Sequence, residues 1–154
     1  MAAIHKISED FYEDSFTLIA LHCSLEDFAV AYALNSRLKS SLKRTSTDLD
    51  ISKNISFPIF EWTDNISDTY WTFITNKSTS KAELDQVGLF SNEVAYTTHY
   101  LLPEHKEVDY FLKIEQASNT MEKEVIKSIL GIPKVVTAYT IETNKLKSKN
   151  NLIF

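Results

Sequence analysis

The sequence predicts an α+β fold, a single domain with a largely antiparallel sheet of about six to seven strands and two helices packed on one face. Three observations carry this. Two helical stretches with start and stop signals stand towards the two ends of the chain, several short β-branched and aromatic runs lie between them, and no repeat or low-complexity linker interrupts the 154 residues. Consecutive short strands pair as antiparallel meanders, and each strand-helix-strand end unit lays its helix across the sheet.

The first element is Ser15–Cys23, "SFTLIALHC". Apolar residues occupy both alternating faces, Phe16, Leu18 and Ala20 on one and Ile19, Leu21 and Cys23 on the other, as a central strand covered on both sides requires. Ser24 is placed to cap a helix, with Asp27 at the reciprocal capping-box position. Leu25, Phe28, Ala29, Tyr32 and Leu34 then form its apolar face.

Next, "LKRTSTDLDI" predicts a short exposed strand, and "ISFPIFEW" and "DTYWTFIT" predict two strands around a turn at Thr63–Ser67. Pro58 argues that the first of these is an edge strand, because proline offers no ladder donor. The polar run 76–84 reads as a loop. "VAYTTHYLL" and "DYFLKIE" read as the arms of a hairpin.

Asn119 with Glu122 predicts the cap of a second helix, with Met121, Val125 and Ile129 aligned beside Ile126 and Leu130. "LGIP" stops it: Gly131 is the expected left-handed residue after the helix, Ile132 packs back on Ile126, and Pro133 blocks continuation. "KVVTAYTIE" predicts a further strand, and the closing "LIF" a returning one. Residues 1–12 and 143–150 are expected to be mobile.

Composition narrows the function classes. At 44% hydrophobic and 12% aromatic, the chain has the material for one complete core. A net charge of −5 opposes general attraction to nucleic acid or anionic membrane. The single cysteine, Cys23, forms no intrachain disulfide, the opening residues lack a secretory pattern, and no apolar run reaches spanning length, which together predict a cytoplasmic protein without membrane contact. Sequons at Asn54, Asn65 and Asn76 are then chance matches. Only Gly88 and Gly131 are glycines, so the glycine-rich loops that cradle nucleotide phosphates are absent and no cofactor is expected.

The densest chemistry lies in Leu102–Tyr110, "LPEHKEVDY". This stretch resembles the signature of the bacterial IPExxxVDY proteins, with Leu102 in place of isoleucine, and the "SLEDFAVAYALN", "LKRTSTDLD" and "NLIF" segments resemble regular features of the same family. The resemblance covers nearly the whole chain. It implies no activity, since the family has none assigned, and it leaves His105, Lys106 and Glu107 unspecified.

Glu104, His105, Glu107 and Asp109 are residue types that bind hard metals or transfer protons. The alternative is a solvated turn, and it is favoured: Leu102, Pro103, Glu104, Val108, Asp109 and Tyr110 are expected to be a structural motif, with no catalytic or metal role. In that reading Pro103 ends a strand, Glu104 accepts N-H groups of the turn, and Asp109 bonds locally. Val108 and Tyr110 share a face with Leu112 and Ile114.

Cys23 with His22 or His99 could imitate a nucleophile and base, yet a lone cysteine on a strand is more simply a buried hydrophobe. Arg37, Lys39, Lys43 and Arg44 form the densest basic patch, a candidate nucleic-acid contact weighed against a solvated helix end. Phe60, Trp62, Tyr70 and Trp71 are a candidate interaction surface, because two helices cannot cover both faces of a sheet. The favoured function is therefore a non-enzymatic interaction or scaffold protein acting on an unknown protein partner, or on itself as a homodimer, through a sheet face or edge. An RNA-associated accessory protein and a small enzyme with a site hidden in sequence are the alternatives.

Overall fold

A computed structural model of the chain describes residues 16–82 and 95–154, so the expectations for residues 1–12, Gly88 and the last two residues of the expected loop 76–84 lie outside the described residues. The architecture is the expected α+β domain. Its centre is a six-stranded sheet in the order β10-β1-β9-β6-β5-β2, formed by β1 (Phe16–Cys23), β2 (Lys43–Arg44), β5 (Ile59–Asp64), β6 (Thr69–Thr75), β9 (Tyr110–Glu115) and β10 (Val135–Ile141), with every neighbouring pair antiparallel. Two short ribbons complete it: β3 (Leu49–Ser52) pairs with β4 (Ile55–Phe57), and β7 (Lys77–Ala82) pairs with β8 (Ala95–Tyr100).

Strand β1 has the predicted two-sided character. Ile19, Leu21 and Cys23 point to the face that carries both helices, α1 (Asp27–Leu38) and α2 (Asn119–Leu130), where they meet Val30, Ala31, Leu34, Val125 and Ile129. Leu18 and Ala20 point the other way, into a second apolar cluster with Phe57, Ile59, Leu101, Leu102, Val108 and Leu152. Each fully buried Leu, Ile, Val or Phe contributes about 1.5 to 3 kcal/mol, so both layers count in the stability. The second layer corrects the expectation of an incompletely covered sheet. The β3–β4 ribbon, the 101–108 segment and the C-terminus occupy the face that the helices leave open.

Helix α1 begins later than its capping signal suggests. Its N-cap is Glu26, which makes no side-chain cap bond, and Asp27 Oδ1 accepts the Phe28 N-H at 2.7 Å, so Ser24 is not the cap. The buried face is also rotated: Val30, Ala31 and Leu34 face the core, while Phe28 is 63% exposed and Tyr32 78% exposed. The helix lies close to the sheet and to α2, and small residues occupy that approach.

Strands β5 and β6 form the predicted hairpin, turned by Asp64, which accepts the Ile66 N-H at 3.0 Å and the Ser67 hydroxyl at 2.5 Å. Pro58 does not mark an edge. It separates β4 from β5, two strands of different sheets, and β5 has β2 beyond it through Lys43↔Glu61 and Arg44↔Phe60. The run 76–84, expected to be a loop, supplies β7, with Lys77 opposite Tyr100 and Ala82 opposite Ala95. Its Ser, Thr and Lys composition reads as loop, yet this ribbon has a solvated side that accommodates it. The expected hairpin between the strands flanking Leu102–Tyr110 is not formed, because β9 inserts between β1 and β6 while β8 stays with β7.

Helix α2 is capped by Ser118 rather than Asn119, with Ser118 Oγ accepting the Met121 N-H at 3.1 Å. Gly131 is right-handed, with φ −76°, which corrects the left-handed assignment. Close approach explains it better: a Cβ there would lie 3.3 Å from Arg37 Nη1, and Arg37 Nη2 donates to the Gly131 carbonyl at 2.8 Å. The terminal "LIF" is not a strand. A 3-10 turn at Lys149–Leu152 buries Leu152 alone and leaves Ile153 and Phe154 exposed. The 143–150 segment contains a second 3-10 turn at Thr143–Lys145 and is tied to the motif through Ser148.

Candidate functional site

Leu102–Tyr110 leaves β8 through Leu101, makes a 3-10 turn at Pro103–His105, and enters β9 at Tyr110. The turn closes on itself through His105 N-H to the Leu102 carbonyl at 3.0 Å and Val108 N-H to the His105 carbonyl at 3.1 Å. A residue outside the motif holds it in place. Asn76, fully buried between β6 and β7, donates from Nδ2 to the His105 and Val108 carbonyls at 2.8 and 2.9 Å, and its Oδ1 accepts the Leu102 N-H at 2.9 Å. Its backbone adds two more bonds, from Asn76 N-H to the Asp109 carbonyl at 3.0 Å and from Leu101 N-H to the Asn76 carbonyl at 2.9 Å. A buried amide with every polar group engaged fixes one arrangement of the surrounding backbone.

Five of the six specified residues of the motif have a structural partner, and Pro103 is exposed at the start of the 3-10 turn. Leu102 and Val108 are fully buried in the cluster opposite the helices, which corrects the placement of Val108 on the face of Leu112 and Ile114. Tyr110 does share that face. It stacks against Phe73 at 5.1 Å, and its hydroxyl donates to the Leu25 carbonyl ahead of α1. Glu104 also reaches beyond its own turn: its two oxygens accept Ser148 N-H at 3.0 Å and Ser148 Oγ-H at 2.9 Å. Burial resists the charge of Glu104, but these bonds outweigh it and hold its carboxyl below the usual range. Asp109 is likewise long-range, since Oδ2 accepts the Cys23 N-H at 2.9 Å where β1 ends and Oδ1 lies 3.7 Å from Lys77 Nζ.

Glu104 and Asp109 therefore point to separate partners, and only Glu107 meets His105. Among the described residues no group of three or more His, Cys, Asp and Glu side chains is placed to hold a metal ion. His105 faces Glu107 at 3.4 Å in an exposed pair, and it borders a shallow cavity of about 290 Å³ with Tyr139 and Lys145. Cys23 is buried, its Sγ 3.4 Å from the Lys134 carbonyl. His22 bonds Tyr139 OH at 2.9 Å and His99 bonds Ser80 at 3.2 Å, so neither histidine is placed as a base for the thiol.

Two of the four basic residues are engaged within the chain. Arg37 holds Gly131, and Arg44 pairs with Asp48 while lying over the Phe60 ring at 5.9 Å; Lys39 and Lys43 are exposed. The aromatic candidates are mostly core. Phe60 and Trp71 are buried under the helices, Trp62 packs partly buried beside Trp71 at 5.4 Å, and Tyr70 is half-buried. Burial, with the neighbouring Glu61 and Glu115 carboxylates, pushes the Tyr70 hydroxyl up to about 12.

Trp62 and Trp71 also form the floor of a groove of about 260 Å³ between α2 and the end of α1. Sequence reasoning found its tryptophans and two of its cations. It did not find the convergence of Met121 and Glu124 from α2 with Asp64 from the β5–β6 turn. Asn76 was also missed, appearing only as a chance sequon; its one signal is its position two residues after the buried run Trp71–Ile74. Lys113 is a third unforeseen residue. Buried on β9, it donates to the Leu152 carbonyl at 2.8 Å between the rings of Phe16 and Phe154, and burial holds its pKa below the usual lysine value against the pull of Glu115.

No family model, curated protein or solved structure matches the chain. Among the described residues no helix is long and apolar enough to cross a membrane.

Proposed function

We propose that this chain is a non-enzymatic cytoplasmic interaction protein that works as a homodimer through the β10 edge of its sheet. The observation that supports this reading is β10, a seven-residue strand at the end of the sheet, with Val136, 81% exposed, at the bulge between the Val135↔Cys23 and Thr137↔His22 pairs. Among the described residues β10 pairs with β1 alone, which leaves one row of backbone N-H and C=O groups for another strand. Tyr139, also partly exposed, adds apolar area to the same strand. Both sheet faces are occupied by the chain's own segments, so the edge is the part of the expected surface that keeps bonding capacity. An antiparallel β10–β10 contact about a two-fold axis closes after two copies.

The same proposal places the chain among the IPExxxVDY proteins. It is supported by the division of labour in Leu102–Tyr110, where the specified residues carry architecture and His105, Lys106 and Glu107 face outward. Sedimentation equilibrium tests the dimer. A concentration-dependent dimer that Val136→Lys converts to a monomer with an unchanged circular dichroism spectrum supports it; a wild-type monomer at every concentration overturns it.

A further inference from the structure

A groove above Trp62 and Trp71 lies apart from the β10 edge. Its floor is the cross-strand pair Trp62↔Trp71, whose rings are tilted by 54° with centroids 5.4 Å apart. One wall is a stripe of α2, in which Met121, Glu124 and Val125 recur at helical spacing. The opposite wall is the end of α1, where Lys39 takes φ 52° and turns the chain away with its side chain exposed. Asp64 closes the end of the groove beyond Trp62, two positions along the same strand and so on the same face.

The charges are arranged by sign. Arg37 and Lys39 stand on the α1 side, and Glu124 and Asp64 stand on the α2 side and at the turn. Lys39 and Glu124 have no ion-pair partner among the described residues, and Arg37 spends Nη2 on the Gly131 carbonyl while its other donors stay available. A ligand that bears both signs on one small frame satisfies both walls, and an apolar substituent fits against indole and thioether between them. We propose that this groove binds a free zwitterionic amino acid with an apolar side chain. Its carboxylate is held by Arg37 and Lys39, its ammonium by Glu124 and Asp64, and its side chain by Trp62 and Met121. A guanidinium matches a carboxylate in geometry as well as charge, and an ammonium is attracted both to carboxylates and to the faces of indole rings. The volume of about 260 Å³ accommodates a molecule of that size.

Intrinsic tryptophan fluorescence reads the groove directly, since both tryptophans of the chain form its floor. The experiment titrates the full chain with L-leucine, leucinamide and 4-methylpentanoic acid, which carry both charges, only the ammonium and only the carboxylate. The expected result is a saturable change with L-leucine and affinities at least about tenfold weaker for the other two, because each lacks one charge-assisted set of bonds. Glu124→Gln is expected to weaken L-leucine and leucinamide while leaving 4-methylpentanoic acid unchanged, and Lys39→Gln to weaken the acid and L-leucine but not the amide. The ligand series in the wild-type chain decides the matter even where a variant folds poorly. No saturable response to L-leucine, or equal responses to all three compounds, overturns the proposal.

Discussion

The side-chain oxygen of Asn76 accepts the Leu102 N-H at 2.9 Å, and through that bond the end of β6 fixes the start of a turn 26 residues further along the chain. The same amide donates to two carbonyls of the turn, which makes one buried side chain the common partner of residues at its beginning, middle and end. Asn76→Ala strands the Leu102 N-H and the Val108 carbonyl, while the His105 carbonyl keeps the Val108 N-H. Leaving buried donors or acceptors unpaired costs about 1 to 3 kcal/mol each before relaxation, so the urea midpoint of Asn76→Ala is expected to correspond to a loss of about 2 to 4 kcal/mol. Asn76→Asp is expected to be no better, since it keeps the acceptor but sets a carboxylate against two carbonyl oxygens.

Glu104 joins the motif to the C-terminal turn through Ser148. Its pKa is lower in the folded chain than the ordinary value of 4.5, the bonds from Ser148 overcoming the opposing effect of burial. The unfolded chain therefore binds the proton first as pH falls. The stabilisation from this residue is complete above the unfolded value and is lost as pH falls through the lowered folded value. Ser148→Ala is expected to remove part of that acid sensitivity in urea unfolding followed between about pH 6 and 3, and Glu104→Gln to flatten it further.

Tyr70 and Tyr110 act at the other end of the scale. Burial is the main cause that raises both hydroxyls to about 12, joined by the Glu61 carboxylate for Tyr70 and the Asp27 carboxylate for Tyr110. Folded chains thus keep protons that unfolded chains release above about pH 10. Their contribution is present below that value and is lost as pH rises towards the folded one, so stability is expected to fall across this window. Lys113, with its pKa lowered by burial, opposes the trend as a single group. Tyr110→Phe is expected to lower stability at neutral pH through the lost bond to Leu25 and to shallow the alkaline slope.

Deleting residues 151–154 removes buried Leu152, the Asn151 bond to the Leu101 carbonyl at 2.8 Å and the acceptor of Lys113. A loss of more than about 2 kcal/mol is expected from Leu152 and the lost Lys113 bond together, with Glu115 left as the partner of the ammonium. Lys113→Met in the shortened chain is expected to recover part of it, because an apolar side chain fills the space without needing an acceptor. Equal melting temperatures for the full and shortened chains would place the terminus outside the fold.

Local signals were legible in the sequence and long-range ones were not. The two-sided apolar alternation of Phe16–Cys23 reports a central strand wherever its partners come from, and "DYFLKIE" reports a strand in the same way. Neither pattern states which strand lies alongside. Proximity in sequence suggested that β8 and β9 pair, whereas β9 gains more burial between β1 and β6 and β8 satisfies its backbone against β7. The face of α1 was misjudged in part: Leu34 is buried as expected, but Val30 and Ala31 take the core positions that side-chain size assigned to Phe28 and Tyr32. Capping residues were each displaced by one or two positions because Ser24, Glu26, Ser118 and Asn119 are all chemically able to flank a helix. In the motif, the structural role was legible and its mechanism was not. Glu104 and Asp109 bond Ser148 and Cys23, and no spacing rule reveals contacts across 44 and 86 residues.

The central claim is that Leu102–Tyr110 is fixed architecture, and native-state hydrogen exchange of its backbone amides tests it most directly. The N-H groups of Leu102 and Asp109 are bonded to the Asn76 side chain and to the Leu21 carbonyl, so their opening requires the motif to leave the core. The account predicts that both amides exchange as slowly as those of β1 and β9, and that Asn76→Ala releases Leu102 first. Rapid exchange of Leu102 and Asp109 in the wild-type chain, while β1 and β9 stay protected, would contradict it and make the motif a mobile loop.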